Sequence, residues 1–333
     1  MVQKKSNKRR DILILLVVLV IALVAYFLTR DRFVGLFSGG LDDPTDDGEN
    51  LYYSIEYEIS SAYVLERGGI VLKNVGDRIK AVELSSGIEL DVTDLGDRSQ
   101  ASIQDFSEYV SYIYMFDGNT VYRSQLDGTE LRATVEDCVK FEPMGDYIYS
   151  LQPVNGANYL FRCSIIGTYE QQLFSKPFLD FLAYDGNLLL QRENGDWWWY
   201  NVITQNSADV VLPKETREIL LDREGVLYLT DTGLYRISYG GKEETALYEG
   251  AVATCAVGPH GLGLLLYEGG EDGQCLAAVC GPSGEELTRL EGETFSPESA
   301  LDLSADYLFV TDEMGITHCS PIDTPAWEVL FEN

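Results

Sequence analysis

The side chains that most readily do chemistry are few in this 333-residue chain, and their spacing is poor for it. There are two histidines, His260 and His318. Neither has a metal-ligand partner two to four residues away. Cys319 adjoins His318, but neighbours on a strand point to opposite faces, so the pair is a poor chelate. His260 sits in Gly258-Pro259-His260-Gly261, a turn, where an exposed bystander is the plain reading. The chain has no nucleophile elbow, zinc-protease histidine pair or phosphate-binding glycine loop. Its 54 acidic residues could supply a glycosidase-type carboxylate pair, but coincidental pairs are inevitable at that number. The sequence therefore nominates no catalytic residue, no cofactor and no metal ligand.

One cluster stands out, Asp196-Trp197-Trp198-Trp199-Tyr200. Read as a strand, it puts Trp197 and Trp199 on one face and Trp198 and Tyr200 on the other. Either both faces pack against neighbouring structure, for which large aromatics are natural filler, or one face is open and binds a sugar, peptide or partner protein. Trp197, Trp198, Trp199 and Tyr200 are thus the candidate partner-binding residues.

The elements that must position these residues are strands. In YIYMFDGNTVYRSQLDGTELRATV, Tyr112 to Val135, β-type runs flank turns at Asp117-Gly118 and Asp127-Gly128. Asp-Gly between alternating apolar runs signals a hairpin, because the tight turn needs positive φ. The unit recurs. Strongly apolar second strands begin at Ile70, Tyr112, Tyr147, Leu188, Val226, Leu264 and Tyr307, 35 to 43 residues apart. A period near 40 built only from short strands reads as a β-propeller, here of about seven four-stranded blades. The cluster at Trp197 falls on the third strand of the fourth unit. An extra strand, Leu51 to Glu58, could join the last unit beside Ala326–Phe331 and lock first to last. That leaves the blade number open by one.

The stretch IYMFDGNTVYRSQLDGTELRATV resembles the repeat of YWTD-type propellers of lipoprotein receptors and their bacterial relatives. Its Leu126-Asp127-Gly128-Thr129 matches the turn that follows their Tyr-rich strand. The Tyr-Trp-Thr-Asp core itself is absent, and Tyr228-Leu229-Thr230-Asp231 comes closest. Arg78 to Val92 resembles a quinoprotein-like unit, with Ser86-Gly87 where that family has Thr-Gly. The layout resembles bacterial single-pass membrane proteins with an exported propeller-like domain. These resemblances imply the fold and carry over no catalytic residue.

The address comes from the N-terminus. Lys4, Lys5, Lys8, Arg9 and Arg10 precede Ile12–Leu28, seventeen residues without charge. As a helix that run spans roughly 25 Å, enough for a bilayer core. Basic residues ahead of it predict a cytoplasmic N-terminus and export of the rest. The run is too long for a usual signal peptide, and Thr29-Arg30-Asp31-Arg32 offers no small-residue cleavage site. The expected organisation is a basic tail over 1–10, a signal-anchor helix over 11–29, an acidic Gly/Pro linker over 30–50 and an extracytoplasmic propeller over 51–333. In the linker, Asp42, Asp43, Asp46, Asp47 and Glu49 lack the spacing of a calcium loop.

Charge narrows the partners. The chain carries −30, with residues 1–32 at +5 and the remainder at −35. Such a field repels nucleic acid. The six cysteines, Cys138, Cys163, Cys255, Cys275, Cys280 and Cys319, are not spaced as a disulfide framework. Buried thiols are expected in a domain this size, with a Cys255–Cys275 or Cys255–Cys280 bridge the alternative. The resulting expectation is a non-catalytic cell-surface module that recognises a protein or peptide through propeller loops. The alternative is a carbohydrate-active or cofactor-dependent enzyme with its site at the central channel. Like charges converging on the channel mouth would distinguish the two.

Overall fold

The computed structural model describes residues 64–99, 101–110, 112–267 and 273–332. These form seven four-stranded antiparallel sheets, each a simple meander in chain order. The described residues therefore make seven blades. The predicted anchor Ile12–Leu28, the linker and the extra strand Leu51–Glu58 lie outside the described residues. Among the described residues no helix is long and apolar enough to cross a membrane. The only helical element there is a short 3-10 turn, Gly96–Arg98.

The core is divided into seven parts, and each part lies at a seam between adjacent blades. Phe106, Ile113 and Met115 of blade 2 pack with Leu65, Leu72 and Ile79 of blade 1. Tyr109, Tyr114 and Phe116 of the same blade pack with Phe141, Ile148 and Cys163 of blade 3. Period-two alternation thus sends successive side chains to opposite seams. A strand buried on both faces loses its polar positions and reads as a continuous apolar run. Leu188-Leu189-Leu190 is the clearest case: Leu188 and Leu190 enter the blade 3–4 seam, and Leu189 enters the blade 4–5 seam.

The ring closes where blade 7 meets blade 1. Val64, Val71 and Val82 pack there against Phe309, Cys319 and Phe331. Lys73 donates to the Gly315 carbonyl, with its ammonium 5.3 Å from the Phe331 ring centre. Blade 7 supplies all four of its strands from its own segment, Ala300–Leu303 to Glu328–Phe331.

Both Asp-Gly turns form as expected. Asp117 Oδ1 accepts the amides of Asn119 and Thr120 at 3.0 and 2.8 Å, and Gly118 has φ +93°. Gly128, at φ +76°, carries a second constraint. A Cβ there would lie 2.2 Å from the Val92 carbonyl oxygen of blade 1. The turn between strands three and four is thus pressed onto the neighbouring blade, which only glycine permits.

Candidate functional site at the channel mouth

The first strand of each blade lies innermost, and the first strands of blades 3 through 7 run beside one another. Register then decides what they present. Asp105 opposes Phe116 in blade 2, and Lys140 opposes Leu151 in blade 3. Asp180 opposes Gln191 in blade 4, and Glu218 opposes Leu229 in blade 5. Each partner is the fifth residue of its second strand, so the four charged residues occupy one level of four successive blades.

A cavity of about 490 Å³ opens at that level. Its polar lining includes Gln104, Asp105, Lys140 and Glu218, and its apolar walls include Phe116, Leu182 and Leu221. The Lys140 ammonium sits 2.9 Å from Asp180 Oδ1 and 5.7 Å from the Phe181 ring centre. Asp180 Oδ1 also accepts the Phe181 amide at 2.7 Å. Glu218 accepts the Thr254 hydroxyl from blade 6, at 3.1 Å to Oε2, and the backbone amide of Cys255. Burial nevertheless holds its carboxyl above the ordinary range.

The adjacent cation, Arg217, is committed elsewhere. Its guanidinium donates to the Val252 and Thr230 carbonyls at 2.7 and 3.1 Å and pairs with Asp231 at 3.1 Å. The mouth is therefore mixed in charge: Asp105, Glu218 and Lys140 line it, and the lysine is already paired with Asp180.

The sequence did not single out these four residues. The signal was a charged residue at or near the start of the first strand in four successive units, at Asp105, Lys140, Asp180 and Glu218. It becomes visible once the units are aligned on their second strands.

The aromatic cluster is placed differently. Trp197–Asn201 is the third strand of blade 4, as expected, and none of its residues lines the cavity. Trp197 and Trp199 join the blade 4–5 seam, while Trp198 and Tyr200 join the blade 3–4 seam. Trp199 is the most buried, at 9% exposure. Its indole N–H donates to Asn187 Oδ1 at 2.9 Å, and its ring stacks on Tyr239 of blade 5 at 5.6 Å. Trp198 meets Phe174 edge-on at 5.3 Å and lies beneath the Arg192 guanidinium at 5.4 Å. Trp197, Trp198 and Tyr200 each stay part-exposed.

The remaining candidates take structural positions. His260 is exposed in its turn. His318 touches the Phe295 ring at 5.5 Å, while Cys319 enters the blade 7–1 seam, so the adjacent pair does diverge. All six cysteines are buried free thiols. Desolvation pushes Cys138 up to about 12 and Cys163, Cys275, Cys280 and Cys319 up to about 11, the opposite of an activated thiolate. Arg236 makes a buried clasp. It pairs with Asp222 and Glu224 and reaches the Pro282 carbonyl, tying blade 5 to blade 6.

A second buried carboxyl lies at the ring-closing seam. Asp302, on the first strand of blade 7, accepts the backbone amide of Val64 in blade 1. Among the described residues its buried Oδ2 has no hydrogen-bond partner, and burial raises the carboxyl to about 8.

No family model matches this chain, and no curated protein matches it. Solved structures do. The chain is similar to a puromycin hydrolase (TM-score 0.59, 10% identity over 85% of this chain and 55% of that one). It is similar to PorZ, a surface component of the type-IX secretion system of Porphyromonas gingivalis (TM-score 0.57, 10% identity, 83% and 38%). It is also similar to the computationally designed Ika8 protein (TM-score 0.53, 14% identity, 84% and 88%). At such identities the likeness shows the β-propeller fold. The chain spans about half the hydrolase and well under half of PorZ. No family model supports the finer likeness to YWTD-type or quinoprotein-like units, or the grouping with single-pass membrane proteins.

Proposed function

We propose that this protein is a non-catalytic binding module that recognises a protein or peptide with the channel-mouth face of its propeller. The observation that carries the proposal is the cavity of about 490 Å³, framed by the first strands of four successive blades. Rigid strands, rather than loops alone, hold its polar groups, which suits recognition that must be geometrically defined. We further propose that Ile12–Leu28 anchors the chain in the cell membrane, with the basic tail inside and the acidic propeller outside.

A second reading follows from Glu218. A carboxyl held above its ordinary range in a cleft is a candidate general acid. That reading makes the mouth the active site of a carbohydrate-active or cofactor-dependent enzyme. The mixed charge favours binding, since the mouth's lysine is engaged in an ion pair with Asp180.

A photo-reactive amino acid placed in the full chain, in native membranes, tests the proposal. At Gln104, on the mouth, it should trap one defined protein or peptide. At Tyr169, 91% exposed on the periphery of blade 3, it should not. Equal trapping at both positions, or at Tyr169 alone, would overturn the proposal.

A further inference from the structure

The channel-mouth cavity indicates a ligand class as well as a location. Its lining combines apolar wall from Phe116, Leu182, Ile219 and Leu221 with the carboxylates of Asp105 and Glu218. The one cation among the lining residues, Lys140, has its charge met by Asp180 at 2.9 Å, so it offers little to an incoming anion. Glu218 is held by two neutral hydrogen-bond donors, Thr254 and the Cys255 amide. The charge of Arg217 acts on it only from a guanidinium turned to Asp231 and two backbone carbonyls. A desolvated carboxylate without a direct ion pair gains from a cation brought to it. The field of the acidic chain would draw cations toward the mouth.

We propose that the cavity takes a protonated amine or guanidinium borne on an apolar stem, the chemistry of a lysine or arginine side chain, with Glu218 as counter-ion and the apolar wall receiving the stem. This rests on the binding reading above and names the group that such a partner would insert. The volume suits it, since about 490 Å³ lies within the roughly 300–1,000 Å³ of small-ligand sites.

A proton linkage follows. Burial raises the Glu218 carboxyl above the ordinary range, and a cation bound beside it would lower it again. Affinity should therefore rise with pH through the Glu218 transition, with net proton release on binding. The other titratable and charged groups nearby are Arg217 just before its strand, Cys255 on the strand packed against it, and Asp105, Lys140 and Asp180 at the same level. The Cys255 thiol is raised well above the ordinary range by burial and stays neutral.

Calorimetric titration of the full chain in detergent with n-hexylamine, at low salt, tests this directly, with n-hexanol and hexanoate as matched probes. Hexylamine should bind about tenfold more tightly than hexanol. Glu218→Gln should remove that advantage while melting near the parent. Asp105→Asn, which leaves Glu218 and its donors in place, should weaken the amine severalfold. Buffers of different ionisation heat should reveal proton release in the parent and none in Glu218→Gln. Equal affinity for hexylamine and hexanol, tighter hexanoate, or an unaltered Glu218→Gln would each overturn the inference. If no amine binds while Gln104 still traps a partner, the cation inference fails and the binding reading stands. If the amine binds as described but Gln104 traps nothing, the cavity is an amine site and the protein-recognition reading fails.

Discussion

Replacing Asp302 with Asn should flatten the pH dependence of the fold. Asp302 sits at the one seam where the last blade meets the first, and its Oδ2 has no hydrogen-bond partner among the described residues. In the folded ring its carboxyl gives up its proton near pH 8, against 3.8 for the ordinary group. The folded state therefore holds a proton that the open chain has released, and stability falls as pH rises between about 4 and about 8. Linkage makes that slope about 1.4 kcal/mol per pH unit, so the cost approaches about 5 kcal/mol at pH 8 and stays level beyond. Below pH 4 both states are protonated and the cost vanishes.

The assay is urea unfolding of residues 51–333 at pH 5, 6, 7, 8 and 9, for the parent and for Asp302→Asn. Subtracting the two curves cancels the other carboxylates. The parent should lose stability relative to the variant by at least several kcal/mol between pH 5 and pH 8. Parallel curves would refute the reasoning, and would mean that Asp302 is solvated or paired in solution.

Other predictions concern packing. Trp199→Ala removes a buried, stacked and hydrogen-bonded ring and should cost about 3–5 kcal/mol by chemical denaturation. Trp198→Ala should cost less, because that ring keeps part of its surface in water; two near-neutral mutants would show that the cluster does not pack at the seams. Gly128→Ala should lower the melting temperature clearly, since its Cβ would meet a backbone carbonyl at 2.2 Å, whereas Gly118→Ala meets only the flexible Gln104 side chain and should cost less. Lys140→Met breaks a part-exposed ion pair and should change stability by no more than about 1 kcal/mol. Residues 51–333 alone should give a circular-dichroism spectrum nearly free of helix, and substantial helix would contradict the fold.

The fold was legible in the sequence wherever burial on two faces erases polarity. Leu188-Leu189-Leu190 and Ile148-Tyr149 stand out because both seams select apolar side chains. Strand starts slipped where glycine hid them. The second strand of blade 6 begins at Leu262 rather than Leu264, inside Gly261-Leu262-Gly263. Gly261 must be glycine there because a Cβ would meet the Cys280 carbonyl at 2.1 Å. The alternation of Trp197 to Tyr200 was readable, but the seam that each face enters depends on neighbouring blades.

The mouth was not legible for a related reason. Lys140 and Asp180 are forty residues apart, and Glu218 and Thr254 thirty-six. A charged residue opening a strand looks like a solvated end until ring geometry turns it toward the axis. The sequence offered a shared strand, Leu51–Glu58, as one way to close the ring. Among the described residues, side chains of blades 7 and 1 make that seam, and the segment Leu51–Glu58 lies outside them.

The central claim is that the channel mouth is the face that binds. Amide hydrogen exchange on the full chain in membranes, with and without the partner trapped at Gln104, tests it most directly. The account predicts slowed exchange at 104–106, 139–141, 180–183 and 218–221, where the inner strands frame the cavity. Slowing confined to the outer strands, at 169–172 or 205–211, with these segments unaltered, would contradict it.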